Sequence, residues 1–267
     1  MLPACSYDIL NPMQIQIMGA HATEIASAKS TALVIDEVLA LDAGSLCSSL
    51  THSAQKKLRA ILLTHYHYDH VRDIPLIAMN IAYQGSLNIY STATTLETLS
   101  THLLDGKMYP DFREWPQQQP AIKFITLEPH QPMNIDGYSV LAVPVCHSVP
   151  TVGFQITSPE GKRLFYTGDT GEGLSACWKY VSPDLLITEL TMPQKMEEWA
   201  RRSGHLTPQI LKAELSEFRK MKGHIPPVIL IHLNPLFESD IAAEVAEITR
   251  ELGASITLGR EGMKITL

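Results

Sequence analysis

Residues 61–70 read Ile-Leu-Leu-Thr-His-Tyr-His-Tyr-Asp-His, an apolar run that passes directly into His65, His67, Asp69 and His70. On extended chain leaving a strand, residues two apart point to one side, so His65 and His67 can converge on one metal ion. Asp69 and His70, past the turn, can face a second. A lone histidine is ordinarily a packing residue, but four ligand-type side chains at this spacing exceed what packing requires. More donors of the same kind stand where other strands give way to loops: His147 after Val143 to Cys146, Asp169 after Phe165 to Thr167, and His232 after Val228 to Ile231. Donors of this kind can polarise an oxygen and activate a water, so hydrolysis is the chemistry they imply.

The elements that must hold these residues alternate between strands and helices. Gln14–Met18, Ala32–Ile35 and Val38–Leu41 read as strands, with Asp36-Glu37 as a two-residue turn. Strands follow at Ile61–Thr64, Leu87–Tyr90, Lys123–Thr126 and Ser139–Val145, with helices over Ile74–Tyr83 and Thr94–Leu104. In the second half, Val152–Thr157 and Arg163–Thr167 form a hairpin around Pro-Glu-Gly. Leu185–Thr188 and Val228–Ile231 are buried-type strands before helices at Thr207–Met221 and Asp240–Leu252. Ser255–Leu258 and Met263–Thr266 read as a closing hairpin around Gly-Arg-Glu-Gly. This grammar suggests an α/β fold of two sheets packed face to face with helices outside. No linker divides it, so residues 13–267 are expected to form a single domain. Residues 1–12 are an extension, disordered or a surface appendage, and Met13 could be the functional start.

With these residues in place, the sequence resembles the metallo-β-lactamase superfamily, whose five motifs occur in order: Asp42 after a strand, the HxHxDH cluster, His147, Asp169 in TGDT, and His232. The resemblance implies an αββα sandwich of two mixed sheets with helices on both outer faces and the site along one edge. It further implies that His65, His67 and His147 hold one metal, that Asp69, His70 and His232 hold the other, and that Asp169 bridges them. Asp42 would be a buried support behind the ligands. Two divalent cations, less the charges of Asp69, Asp169 and a bridging hydroxide, leave about +1, which attracts an anion. A His/Asp donor set accepts zinc, manganese or iron, and zinc is the expectation.

No cysteine takes a ligand position, which separates the chain from the β-lactam-degrading branch. Glu189, ending a buried strand, and His205 in Ser-Gly-His-Leu-Thr-Pro, before a helix that Thr207 would cap, resemble the corresponding element of ribonuclease Z and class II cyclic-nucleotide phosphodiesterases. In those families the histidine reaches the scissile phosphate and the glutamate orients it. Asp69, His205 and Glu189 are therefore the candidate catalytic residues. Only 21 residues separate His147 from Asp169 and a hairpin uses them, leaving no arm to hold an RNA elbow. The expected activity is a dinuclear phosphodiesterase on a small phosphodiester, with a cyclic nucleotide or another small cyclic phosphate as the leading class. A thioester or lactone hydrolase of the glyoxalase II type and a tRNA 3′-processing endonuclease are the alternatives, and a non-hydrolytic diiron protein stands last.

Composition agrees with these expectations. The chain has 45% hydrophobic and 18% charged residues and a formal net charge of −7, so it suits a folded protein and lacks the basic balance with which long polyanions are gripped. No apolar run approaches the roughly 18 to 20 residues of a membrane span, and no signal peptide is evident; a cytoplasmic protein is the expectation, and the families it resembles are often dimers, which makes a homodimer the partner expectation. Cys5, Cys47, Cys146 and Cys177 show no CxxC spacing and read as reduced thiols. His21 reads as a packing or surface residue, and His52, His102, His130 and His224 as solvated. The segment 105–120, rich in proline and carrying Tyr109, Phe112 and Trp115, is either a lid or a surface excursion, and Tyr109 or Trp115 could stack on a base.

Overall fold

The computed structural model describes residues 12–267. The expectation for residues 1–12 therefore lies, apart from Pro12, outside the described residues, as does Cys5. Strands are numbered in chain order: β1 Gln14–Gly19, β2 Ala32–Ile35, β3 Leu39–Leu41, β4 Ala60–Leu62, β5 Leu87–Ser91, β6 Ile122–Thr126, β7 Met133–Ile135, β8 Tyr138–Val145, β9 Thr151–Thr157, β10 Arg163–Tyr166, β11 Leu185–Glu189, β12 Val228–Ile231, β13 Ile256–Leu258 and β14 Lys264–Thr266. They form two seven-stranded mixed sheets, in the orders β14-β1-β2-β3-β4-β5-β6 and β13-β12-β11-β10-β9-β8-β7.

Side-chain alternation explains why the sheets stack. Ile15, Ile17, Leu33, Leu41 and Leu62 of the first sheet meet Val140, Phe154, Leu164, Ile187 and Ile231 of the second in one buried cluster. The intervening residues face outward, so these strands read as near-continuous apolar runs. Ala32, Val34, Ala40 and Ile61 pack under helices that include α4 (Ile74–Ile81) and α5 (Ala93–His102), the fourth and fifth α-helices among the described residues. On the other face, Phe165, Leu186, Val228 and Leu230 pack under α7 (Pro208–Lys222) and α8 (Glu238–Leu252) through Leu211, Leu215, Phe218, Ile241 and Ile248. The result is the αββα layering expected from the sequence.

The Asp36-Glu37 turn is as expected, with both residues at positive φ, 47° and 63°, which matches a tight primed turn between twisted strands. The closing hairpin is corrected. β13 pairs parallel with β12 while β14 pairs antiparallel with β1, so the two strands lie in different sheets. Gly-Arg-Glu-Gly is a crossover between sheets, held by Gly259 N–H to Leu230 O (2.7 Å) and Gly262 N–H to Ile17 O (2.8 Å). The turn residues were legible, but their strands take partners distant in sequence. The short strand β7 and the one-turn helices α1 (Leu46–Ser49), α2 (His52–Gln55) and α3 (Tyr68–Val71), like α6 (Glu197–Ser203), are too brief for periodicity to reveal.

The segment 105–120 is tied to the helical layer. Phe112 is fully buried, Tyr109 and Trp115 pack against the α4–α5 cluster, and the Trp115 ring contacts those of Phe112 and Tyr83 at centroid distances of 5.8 and 5.2 Å. Phe112 thus serves packing, while Tyr109 and Trp115 are half-buried against the same layer. Among the described residues, no helix is long and apolar enough to cross a membrane.

Candidate metal centre

The topology brings the chemistry to one edge. β3 and β4 run parallel, as do β10, β11 and β12, and β8 runs the same way as β10 because both are antiparallel to β9. The carboxyl ends of these strands carry Asp42, His65, His67, His147, Asp169, Glu189 and His232. Asp69 and His70 lie on the single turn of α3, which starts directly after His67.

Seven expected ligands converge. His65, His67, His147 and Asp169 each offer one ligand atom within 4.8 Å of the others, and so do Asp69, His70 and His232. In the first group, His147 Nε2 lies 3.2 Å from His67 Nδ1, and Asp169 Oδ2 is 3.7 Å from His65 Nε2 and 3.8 Å from His147 Nε2. In the second, His232 Nε2 is 3.3 Å from both Asp69 Oδ2 and Asp169 Oδ2, while His70 Nε2 is 3.5 Å from Asp69 Oδ2 and 3.2 Å from Asp169 Oδ1. A tetrahedron with bonds near 2.0–2.1 Å has edges of about 3.3 Å, so this spacing suits donors sharing an ion. His65 Nε2, His70 Nε2 and Asp169 Oδ1 are moreover buried without any hydrogen-bond partner, which native interiors rarely tolerate. The residues fit divalent metal ions, and Asp169 of the first group also lies 3.2 and 3.3 Å from His70 and His232 of the second.

The electrostatics point the same way. Burial, joined by the like charge of His70, holds His65 well below the usual imidazole range, and burial lowers His67 and His147 also. These rings are therefore neutral donors. Burial alone would raise the Asp69 carboxyl, but the charge of His70 and the nearness of the His232 ring bring it down to about 2. His70 is the exception: burial opposes its charge, yet Asp169, Asp42 and Asp69 raise it well above the usual range. Three carboxylates around one ring create a demand for positive charge that a metal ion meets.

Behind the ligands stands Asp42, fully buried. It accepts from Thr64 N–H (2.8 Å), His70 Nδ1–H (2.8 Å) and the Tyr166 hydroxyl (2.6 Å). Thr64 Oγ1 also donates to Asp42 (3.0 Å) and lies 2.9 Å from His65 Nδ1, so its oxygen accepts that ring proton. Protons fixed on Nδ1 leave Nε2 of His65 and His70 free as ligands. His147 is oriented differently, donating from Nδ1 to Gly204 O at 2.8 Å. Gly204 has φ 74°, and a Cβ there would come within 2.9 Å of His147 Cα, so only glycine allows this approach.

Glu189 and His205 come together beside this centre. The Glu189 carboxylate is fully buried and accepts from His205 Nδ1–H at 2.7 Å. Burial would lower His205, but the charge and hydrogen bond of Glu189 overcome it and raise the imidazole to about 9. Its ring stacks on His232 at 5.4 Å and meets His147 edge-on at 5.1 Å, and it offers a ligand atom within 4.8 Å of those of Asp169 and His232. Thr207 occupies the N-cap position of α7, but no side-chain cap bond forms and its hydroxyl is buried without a partner; Pro208, which has no N–H and a fixed φ, starts the helix instead.

A family model described as "Beta-lactamase superfamily domain" matches residues 35–233, a span containing every residue of this centre. The chain belongs to the beta-lactamase superfamily. It is a metal-dependent hydrolase of that superfamily, with its donors at the common strand edge. Among its relatives is a ribonuclease Z from Methanococcus maripaludis, 27% identical over 82% of this chain and 73% of the relative. Two solved structures share the fold: the metallo-beta-lactamase fold protein YhfI from Bacillus subtilis (TM-score 0.78, 19% identity, covering 96% of this chain and 99% of that one) and unliganded yeast PDE1 (TM-score 0.83, 15% identity, covering 97% and 100%).

Thr64, Tyr166 and Thr191 escaped the sequence reading, although a hydroxyl next to a ligand, as in Thr64-His65, was a usable signal. His21, read as packing or surface, is buried, with Nδ1 2.7 Å from Glu261 Oε1. Cys47, Cys146 and Cys177 are free thiols, and His52, His102, His130 and His224 are exposed.

Proposed function

We propose that residues 13–267 act as one dinuclear metal-dependent phosphodiesterase domain on a small phosphodiester, a cyclic nucleotide being the leading class. The observation that carries this reading is the Glu189–His205 pair set against two groups of metal donors. His65, His67, His147 and Asp169 would hold one ion and Asp69, His70, His232 and Asp169 the other, with zinc favoured by the His/Asp set and its near-tetrahedral spacing. Two such ions would polarise a phosphoryl oxygen and bring the pKa of a water between them toward neutrality. The chain's own groups do the rest. His205, held cationic by Glu189, would bind a non-bridging oxygen of the phosphorane or protonate the leaving oxygen. Asp69, whose side chain is 30% exposed, is the open carboxylate of the centre and would orient the attacking water.

A second reading, RNA 3′-end cleavage, is favoured by the similarity to ribonuclease Z. Against it stand the net charge of −7 and the β9–β10 hairpin, which occupies the interval between His147 and Asp169. The deciding experiment is a panel of cyclic AMP, bis-p-nitrophenyl phosphate, a pre-tRNA and lactoylglutathione on one metal-quantified sample. Turnover of the small diesters alone supports the first reading, cleavage of the pre-tRNA the second, and turnover of the thioester alone rejects both.

A further inference from the structure

The Thr191 hydroxyl meets three side chains of the centre at once. Its Oγ1 lies 2.8 Å from Glu189 Oε2, 3.0 Å from His232 O, 2.7 Å from His232 Nδ1 and 3.3 Å from His205 Nδ1. A hydroxyl has one proton and two lone pairs. Glu189 Oε2 and His232 O are both acceptors, and the ionised, nearer carboxylate takes the proton; with either one, a lone pair faces the His232 Nδ1–H, and the His232 lone pair is left on Nε2, the atom 3.3 Å from Asp69 and from Asp169. Glu189 is otherwise filled by Thr170 N–H, Thr191 N–H, Leu206 N–H and His205 Nδ1–H. One buried carboxylate therefore fixes His205 directly and His232 through a threonine. The same construction occurs across the centre, where Asp42 fixes His70 directly and His65 through Thr64.

We propose that Thr191 is a positioning residue that ties the Asp69–His70–His232 metal subsite to His205 through Glu189, so that neither can be reoriented alone. This inference rests on the dinuclear reading of the site. Thr191→Val exchanges the hydroxyl for a methyl of similar shape and leaves the buried His232 Nδ1–H without its acceptor, whereas Thr191→Ser keeps the oxygen. Zinc titration against a chromophoric chelator, with thermal melts as a check on folding, separates the possibilities without any substrate. In Thr191→Val the expected result is one equivalent bound as in the parent and the second weakened about 10- to 100-fold, with Thr191→Ser restoring it. On bis-p-nitrophenyl phosphate, kcat falls with KM little changed. The inference is overturned if Thr191→Val binds both equivalents as tightly as the parent, or if both weaken together and Thr191→Ser does not restore them. Selective loss of the second equivalent in a protein inert toward every phosphodiester would sustain the inference and reject the phosphodiesterase reading.

Discussion

Asp42→Asn should separate the charge behind the metal centre from its shape. Asp42 sits at φ 56°, a conformation that asparagine also tolerates, so the exchange adds little backbone strain. An amide oxygen at Oδ1 keeps the Thr64 N–H bond, but an NH2 at Oδ2 then faces the Tyr166 hydroxyl (2.6 Å) and His70 Nδ1–H (2.8 Å), both donors. A hydrogen bond to a charged group contributes about 1.5 to 3 kcal/mol, so losing two costs about 3 to 6 kcal/mol, and rotation of the Tyr166 hydroxyl recovers part of it. At roughly 2 to 4 °C per kcal/mol for a chain of this size, a net loss of about 3 kcal/mol lowers the melting temperature by roughly 6 to 12 °C. His70 can accept from the new amide only by moving its proton to Nε2, the atom that faces Asp169 and Asp69. Metal affinity at that subsite should then fall about 10- to 100-fold. Calorimetric melts of metal-free and metal-loaded protein, with metal quantified after gel filtration, measure both effects. A variant that melts within a degree or two of the parent and retains two tight ions would refute the role assigned to Asp42.

His205→Ala should lower kcat on a phosphodiester about 10²- to 10⁴-fold, as loss of a general acid does. Because Glu189 raises His205 to about 9, the parent's activity should decline on the alkaline side as the cation is lost, and the variant's pH profile should lack that limb; an unchanged limb would assign it elsewhere. Glu261→Gln should destabilise the protein in a defined pH window. Burial opposes both charges of the His21–Glu261 pair, yet their interaction lowers Glu261 from 4.5 to about 2 and raises His21 above 6.5. The carboxylate's contribution is present above 4.5 and lost as pH falls toward 2, and the imidazole's is present below 6.5 and lost as pH rises beyond. The melting difference between parent and variant should therefore be largest between 4.5 and 6.5, and a difference flat across pH would contradict the pairing.

Much of the centre was legible because the donors sit at strand ends, where an apolar run stops at a histidine or aspartate. His147, Asp169 and His232 each carry that mark, and the layering followed from strands such as Leu185–Ile187 that are apolar on both faces. What escaped depended on distance in sequence. Nothing local to Ser255–Leu258 and Met263–Thr266 says that they join opposite sheets, because their pairing partners lie near residues 228 and 14. Thr191 and Tyr166 look like ordinary strand-end residues until β11, β12 and β3 bring Glu189, His232 and Asp42 to them. The aromatics of 105–120 were ambiguous for the same reason, since only the fold shows Phe112 seated in the helical layer.

The central claim is that these donors hold two ions and that hydrolysis depends on both. Protein stripped with chelator should take up zinc to two equivalents per chain, and hydrolysis of bis-p-nitrophenyl phosphate should rise with occupancy, while His65→Ala neither fills both subsites nor turns over the diester. Fewer than two equivalents in the parent, or equal rates in stripped and loaded protein, would contradict it.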